Sequence, residues 1–323
     1  MDHYRLALSA LEALPLVADW RALRQTLRRA FVKRDRNWLL PVIGCEAVGG
    51  PPALALPAVA AVACAQLSII LVDDLLDADP RGEYRRIGPG PAANLAVGLM
   101  AAGIAALEAQ AAPAETGLAA TRALAAMLGR TALGQHLDVQ NPVDEAGYWR
   151  VVATKSAPFF GTALELGALL GGAGSDTAAA VGRLGQMAGE IVQIFDDLQD
   201  ALQTPANSDW PRGRSSLPLL FARHVDHPER ERFEALCRAL ATPGDDQAAL
   251  AEAQAILVRS GAVSYCVYQI QERSQAARAY LDALVLERPA GLYRLLDEQV
   301  RPVHELLAAM AGGDAVRSMA WAG

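Results

Sequence analysis

The chain has 323 residues, of which 52% are hydrophobic, 20% charged and only 6% aromatic. This composition is too apolar for a disordered chain, and it is too rich in Ala and Leu and too poor in β-branched residues for a sheet protein, so it predicts an all-α fold. Acidic residues outnumber basic residues by 36 to 29 and no long Lys/Arg run occurs, which argues against nucleic acid as a partner.

Helix-length segments follow one another along the whole chain, separated by short Pro/Gly clusters. No linker divides them, so we expect one single all-α domain over residues 1–323. The segments at 53–78 and 91–107 are apolar almost all round and should lie at the centre of the fold. The predicted helices cover residues 3–31, 35–48, 53–78, 91–110, 115–139, 143–171, 175–202, 215–226, 228–241, 246–259, 262–285 and 289–312.

One apolar stretch is long enough to cross a bilayer. Residues 47–72 contain no charge, and a span needs about 20 residues. Prolines lie near its start, Gln66 and Ser68 lie within it, and it runs directly into aspartates, so we interpret it as the central helix of a soluble bundle. The N-terminus lacks the apolar core of a signal peptide and the four cysteines lack C-x-x-C spacing, which predicts a cytoplasmic protein with reduced thiols.

An acidic cluster, DDLLD at residues 73–77, closes the central apolar helix. Asp73 and Asp77 are four residues apart, so their carboxylates share one helical face and repel each other. No basic residue at helical spacing precedes Arg81 to relieve this repulsion. Carboxylate oxygens with room left for water and phosphate suit Mg²⁺, which takes one or two carboxylates together with substrate phosphates.

The same pattern recurs about 120 residues later as DDLQD at residues 196–200, again after an apolar helical run. Asp196 and Asp200 repeat the four-residue spacing. One such cluster alone could be a solvated helix end, but two clusters, each C-terminal to an apolar helix, favour a shared site. If they face each other across a cavity, they would hold several Mg²⁺ ions and one diphosphate.

The paired motifs resemble the two D-D-x-x-D motifs of trans-isoprenyl diphosphate synthases, the polyprenyl synthetase family. The likeness extends from about residue 30 to residue 285. The flanking segments that also resemble the family are KRDR at 33–36, the pair Arg85-Arg86, GQHLD at 134–138, the pair Lys155-Ser156 and GRSSLP at 213–218. The resemblance implies a helical bundle of the isoprenoid synthase type with a central apolar cavity, and a homodimer.

It also implies a reaction: head-to-tail condensation of an allylic prenyl diphosphate with isopentenyl diphosphate, with three Mg²⁺ ions expected per site. In that reaction Asp73, Asp77 and Asp196 would hold the metal, and Lys155 would neutralise the leaving diphosphate. Lys155 lies in an otherwise apolar helix, where an unpaired ammonium would be costly, so it needs an anionic partner. The expected substrate-binding residues are Lys33, Arg36, Gln66, Ser68, Arg85, Arg86, Ser156, Gln193 and Arg214.

Departures from the family pattern leave alternatives open. The loop between Asp77 and Arg85 is about three residues longer than the usual spacing. Ser68, five residues before Asp73, stands where short-chain members carry an aromatic ring, which predicts a product of C20 or longer. Two other functions remain: a terpene synthase that cyclises a prenyl diphosphate on this scaffold, favoured by the altered loop, and a non-catalytic partner subunit, opposed by the two intact acidic motifs.

Overall fold

The computed structural model describes residues 1–108, 113–203, 216–241 and 246–311. The regular elements in these ranges are all helical, which confirms the predicted all-α fold. Short 3-10 turns at Arg36–Leu39 and Pro52–Ala55 precede two of the helices. The helices are α1 (His3–Glu12), α2 (Pro15–Asp19), α3 (Arg21–Val32), α4 (Leu40–Ala47), α5 (Leu56–Leu76), α6 (Tyr84–Ile87), α7 (Pro89–Glu108), α8 (Ala114–Val139), α9 (Glu145–Lys155), α10 (Ala157–Leu170), α11 (Ser175–Leu202), α12 (Leu217–His224), α13 (Arg230–Leu240), α14 (Gln247–Arg259), α15 (Ala262–Asp282) and α16 (Ala290–Ala311).

Two of the predicted helices are divided in the structure. The segment 3–31 forms α1, α2 and α3, because Pro15 begins α2 and the backbone of Trp20 is extended, with φ −106° and ψ 91°. The segment 143–171 forms α9 and α10, because Pro158 has no N–H to donate and its ring disfavours a continuous helix through the preceding turn. This second break places the end of α9 beside the cavity described below.

The two apolar helices α5 and α7 pack against each other in the interior, as predicted. Their close approach depends on Gly103 of α7, where a Cβ atom would lie 3.2 Å from the Ala61 carbonyl oxygen and from Cβ of Cys64. Both helices are long and apolar enough to span a membrane, but α1, α4, α8 and α10 also contact α5. Residues 58–65 of α5 are all buried, so α5 is a core helix of the bundle.

Buried apolar side chains form two clusters, and α11 contributes to both. Val181 and Leu184 belong to the first cluster, which contains α5 and α7. Ile194 and Leu198 belong to the second, which contains α12 to α15. The second acidic motif lies on this later part of α11, so its position depends on packing against both clusters. The single domain over residues 1–323 stays a prediction.

Candidate active site

A cavity of about 470 Å³ opens between α5, α9, α10 and α11. Asp73 lies in α5 and Asp77 is the residue that caps its C-terminal end, and both line the cavity. Asp196 and Asp200 line it from α11. The structure therefore brings the two acidic motifs to one cavity, although Asp77 and Asp196 lie 119 positions apart in the chain. This juxtaposition is what a shared diphosphate site requires.

The first acidic motif and the residues before it face the cavity as one helical stripe with spacings of three and four. Ser68 is not part of that stripe: five residues correspond to about 500°, which places it about 140° around the helix from Asp73. Its side chain is fully buried and outside the cavity lining, so the structure does not place Ser68 at the floor. Phe159 and Phe160 of α10 line the cavity instead. The members of the stripe are Gln66, Ile69, Ile70, Asp73 and Asp77.

Lys155, the last residue of α9, lies between two carboxylates at the cavity wall. Its Nζ is 2.6 Å from Oδ2 of Asp138 and 3.0 Å from Oδ1 of Asp73, and its side chain is only 18% exposed. Burial alone would lower the pKa of this ammonium, but the two carboxylates outweigh burial and raise the pKa above its usual value. Lys155 therefore stays charged beside the first motif. Asp138 is the anionic partner that its apolar surroundings require.

The close approach of α8 and α9 makes this ion pair possible. At Gly134 of α8 a Cβ atom would lie 2.4 Å from the backbone nitrogen of Lys155, so no larger residue fits without moving the helices apart. Asp138 follows Gly134 by one helical turn and consequently lies on the same side of α8. The segment GQHLD thus has a structural explanation in this chain: its glycine admits α9 and its aspartate binds the lysine.

Asp197 of the second motif is buried and performs a different task from its neighbour Asp196. Its Oδ1 accepts a hydrogen bond from Nε2 of Gln193 at 2.8 Å, and its Oδ2 accepts one from the backbone N–H of Leu217 at 2.8 Å. Ser156 Oγ donates to Oε1 of Gln193 at 2.6 Å, which ties α10 into the network. Burial raises the pKa of Asp197 to about 7 although these hydrogen bonds oppose the rise. The network fastens the start of α12 to α11.

Asp197→Asn is expected to destabilise the protein, because one of the two bound N–H groups would face the new amide NH₂ instead of an acceptor. The free energy of unfolding should fall by about 1–3 kcal/mol, the cost of an unsatisfied buried donor. Chemical denaturation followed by circular dichroism measures it. The matched variant Asp196→Asn, which removes a charge that the folded state disfavours, should be at least as stable as the wild type; equal destabilisation by both variants would contradict this assignment.

Asp196 faces the cavity, where removal of water by the surrounding walls and the charges of Asp197 and Asp200 raise its pKa to about 7. A carboxylate in that position gains from a nearby cation. Among the described residues, no three His, Cys, Asp or Glu side chains converge to enclose a metal ion. Mg²⁺ does not need such a cage, because it takes one or two carboxylates and completes its shell with water and substrate phosphates. The donor set fits Mg²⁺.

Three of the predicted substrate-binding residues, Lys33, Arg36 and Gln66, are not brought together. Gln66 lines the cavity, and its Nε2 donates to Oδ2 of Asp35 at 3.1 Å. Arg36, next to Asp35, points away and forms an ion pair with Glu298 of α16. Lys33 caps α3 and is exposed outside the cavity lining. Because Asp35 occupies the side of this segment that faces Gln66, its basic neighbours are directed to the surface.

The longer loop after the first motif places a different arginine at the cavity from those expected. Arg81 lines the cavity and donates two hydrogen bonds to Asp79, from Nε to Oδ1 at 3.3 Å and from Nη2 to Oδ2 at 3.0 Å. Arg85 and Arg86 belong to α6 and do not line it. Sequence reasoning missed Arg81, although it is the first basic residue at helical spacing after the motif. The predicted site residue Arg214 lies outside the described residues.

The residues that form this cavity lie within a segment that matches a known protein family. A model of the polyprenyl synthetase family matches residues 26–256, a range that includes both acidic motifs and Lys155. The chain belongs to the polyprenyl synthetase family. Membership confirms the resemblance drawn from the paired motifs.

Two curated members of the family illustrate the range of similarity. The chain is 27% identical over 266 residues to a short chain isoprenyl diphosphate synthase of Methanothermobacter thermautotrophicus, covering 76% of this chain and 78% of that protein. It is 28% identical over 150 residues to an octaprenyl diphosphate synthase of Haemophilus influenzae, covering 44% of this chain and 45% of that protein. The chain thus spans less than half the length of this second relative.

Solved structures show the same fold. A geranylgeranyl pyrophosphate synthetase from Pyrococcus horikoshii superimposes with a TM-score of 0.80 at 20% identity, covering 92% of this chain and 95% of that chain. A polyprenyl synthase from Caulobacter crescentus, solved in complex with calcium and isoprenyl diphosphate, superimposes with a TM-score of 0.77 at 22% identity, covering 92% and 93%. The bundle of the isoprenoid synthase type is therefore confirmed for this chain.

Proposed function

We propose that the chain is a trans-polyprenyl diphosphate synthase, which condenses an allylic prenyl diphosphate with isopentenyl diphosphate head to tail. The observation that carries the proposal is the meeting of both acidic motifs and Lys155 at one cavity. Aspartates from two helices at one cavity, with the ammonium of Lys155 beside Asp73, match a polyanion that must leave as diphosphate. The names of the family members support the same chemistry.

We assign Mg²⁺ as the cation, with three ions per site held by Asp73, Asp77 and Asp196. These carboxylates offer the hard oxygen ligands that Mg²⁺ prefers and leave positions for substrate oxygens. When bound, the metal supplies Lewis acidity that withdraws charge from the leaving diphosphate. Calcium bound with isoprenyl diphosphate in the Caulobacter crescentus enzyme supports a divalent cation at this kind of site.

The protein's own groups supply the remaining parts of the reaction. Lys155 and Arg81 carry positive charge at the cavity and would neutralise the diphosphate as the C–O bond breaks. Gln66, Ser156 and Gln193 line the cavity with polar groups that would orient the two substrates. The departing diphosphate can accept the proton that is lost after condensation, so no side-chain base is required. The apolar wall that excludes water from the carbocation consists of Ile69, Ile70, Val152, Phe159, Phe160 and Val192.

We propose a product of C20 or longer. Support comes from family members named geranylfarnesyl, octaprenyl, nonaprenyl and geranylgeranyl diphosphate synthase. Ser68 no longer carries this proposal, because its buried side chain is not among those that line the cavity. The rings of Phe159 and Phe160, which meet edge to face with centroids 5.4 Å apart, are the bulky groups at the wall that would limit chain growth.

We also propose that the protein is a homodimer in the cytoplasm and that its product is membrane-soluble. The helices α7 and α8 contact each other and expose apolar side chains, among them Val97, Leu118 and Leu133, which are 48–64% exposed. A second copy that covers these side chains would remove apolar surface from water.

Product analysis tests the function. The purified chain is incubated with Mg²⁺, isopentenyl diphosphate and, in turn, dimethylallyl, geranyl or farnesyl diphosphate, and the products are identified by mass spectrometry. We expect elongated allylic diphosphates, and no products when EDTA removes the metal. A hydrocarbon formed from the allylic diphosphate alone would instead identify a terpene synthase. A chain that is inactive by itself but stimulates an active homologue would identify a non-catalytic subunit.

Arg81→Gln is expected to lower kcat/KM for the allylic substrate by about a hundredfold, because a charge-assisted contact to the diphosphate at the edge of the cavity is lost. Steady-state kinetics with the best allylic starter measure the change. Arg85→Gln is the matched control, since Arg85 lies four residues later, outside the cavity, with its guanidinium 5.8 Å from the ring centre of Tyr84. A larger loss for Arg85→Gln than for Arg81→Gln would overturn the assignment.

A further inference from the structure

A second cavity, also of about 470 Å³, lies outside the reaction site between α3, α6 and α7. It shares no lining residue with the first cavity. One side is apolar and the other carries two guanidinium groups. The residues that define these two sides are Trp20, Ile87, Pro91, Leu95, Arg29 and Arg86.

The charged side of this second cavity has an excess of positive charge. Arg29 Nη2 donates to Oε1 of Glu83 at 2.7 Å, and Arg86 binds the same carboxylate through Nη2 and, at 3.1 Å, through Nε. Two guanidiniums thus share one carboxylate, and each has five N–H donors. Both side chains are at least half exposed, so donors remain for a bound anion. The arrangement offers an anion bidentate partners at a rim of net positive charge.

The apolar side is built into the fold around one aromatic ring. Trp20 lies against α7 at Gly98, where a Cβ atom would be only 2.4 Å from the indole ring. A larger residue at position 98 would therefore displace the ring. Ile87 and Leu95 extend the same apolar surface. A ligand that fills this cavity needs a hydrocarbon part to cover the indole and an anionic group to reach the two arginines.

We propose that this second cavity binds a prenyl diphosphate as a regulatory ligand, separate from the reacting substrate. The ligand class rests on the proposed function, because a prenyl diphosphate is the molecule in that reaction that joins a hydrocarbon chain to a polyanion. The loop after the first motif connects the two cavities: Arg81 lines the first, and Glu83, two residues later, holds the arginines of the second. A diphosphate that takes Arg29 and Arg86 competes with Glu83, loosens the loop that positions Arg81 and slows turnover.

The intrinsic fluorescence of Trp20 provides the test. The chain is titrated with farnesyl diphosphate in the presence of EDTA, and the change in tryptophan fluorescence is recorded. The part of that change that is lost in Trp20→Phe reports binding at the second cavity. Arg29→Gln should weaken this binding by about tenfold. Arg28→Gln, next to it on α3 and paired with Glu12, should bind like the wild type. Farnesol and inorganic pyrophosphate, each carrying half of the ligand, should both bind more weakly than farnesyl diphosphate.

The kinetic counterpart is inhibition by excess farnesyl diphosphate in the presence of Mg²⁺. Because Arg29→Gln itself removes a partner of Glu83, its rate at low substrate should already be lowered, and excess farnesyl diphosphate should lower it no further. Thermal melting confirms that the variants fold. Identical titrations of the wild type and Trp20→Phe, or unchanged affinity in Arg29→Gln, would overturn the proposal. If elongation is absent but the Trp20 signal persists, only the proposed function fails; if elongation occurs without the signal, only the second site fails.

Discussion

Asp73→Asn should reduce kcat by about a thousandfold, because an amide oxygen without charge is a poor substitute for a carboxylate on Mg²⁺ and the leaving diphosphate loses its stabilisation. Asp73 lies at the cavity wall and pairs with Lys155 at 3.0 Å, so it connects the proposed metal site with the buried cation. Initial rates over a series of Mg²⁺ concentrations measure the effect. Added Mg²⁺ should not restore the rate, since the ligand itself has been removed.

The neighbouring residue supplies the control. Asp74 follows Asp73 by about 100° around α5 and is outside the cavity lining. Asp74→Asn changes the same chemical group at the neighbouring position in the sequence, yet it should lower kcat by less than about tenfold. Comparable losses for Asp73→Asn and Asp74→Asn would mean that the overall charge of the motif matters rather than its orientation into the cavity.

Helical spacing was sufficient to predict which carboxylates of each acidic motif share a helical face. Four-residue spacing places Asp73 over Asp77, and Asp196 over Asp200, whatever the rest of the chain does, because it depends only on local helix geometry. The same arithmetic could have corrected the expectation for Ser68. A position five residues before Asp73 is on a different face of α5 from the stripe that reaches the cavity.

The cationic part of the site depends on contacts between distant segments, which no local pattern reveals. Arg36 is withdrawn from the cavity by Glu298, 262 residues later in the chain. The choice of Arg81 over Arg85 follows from the course of an irregular loop. Such pairings are decided by which helices become neighbours, so they become visible only once the fold is known. The family resemblance predicted arginines after the first motif but could not place them around a loop of unusual length.

Lys155 was the informative exception, because its apolar surroundings predicted a buried anionic partner without naming it. The structure provides Asp138 at 2.6 Å as well as Asp73 at 3.0 Å. Lys155→Met should therefore lower the free energy of unfolding by about 2–4 kcal/mol, since it removes the ammonium that lies between two poorly hydrated carboxylates. It should also lower kcat by about a hundredfold or more through loss of a positive charge beside the leaving group.

The double variant Lys155→Met/Asp138→Asn separates these two effects. Removing the charge of Asp138 lowers the repulsion between the two carboxylates, so denaturant unfolding should show at least partial recovery of stability relative to Lys155→Met alone. The rate should stay low, because no new cation faces the diphosphate. Lys155→Arg should retain more activity than Lys155→Met or the double variant, because it keeps the positive charge. Its activity should stay below that of the wild type, because the guanidinium is planar. If activity returned together with stability in the double variant, Lys155 would serve only to hold α8 and α9 against α5, and the leaving diphosphate would have to be neutralised by other groups.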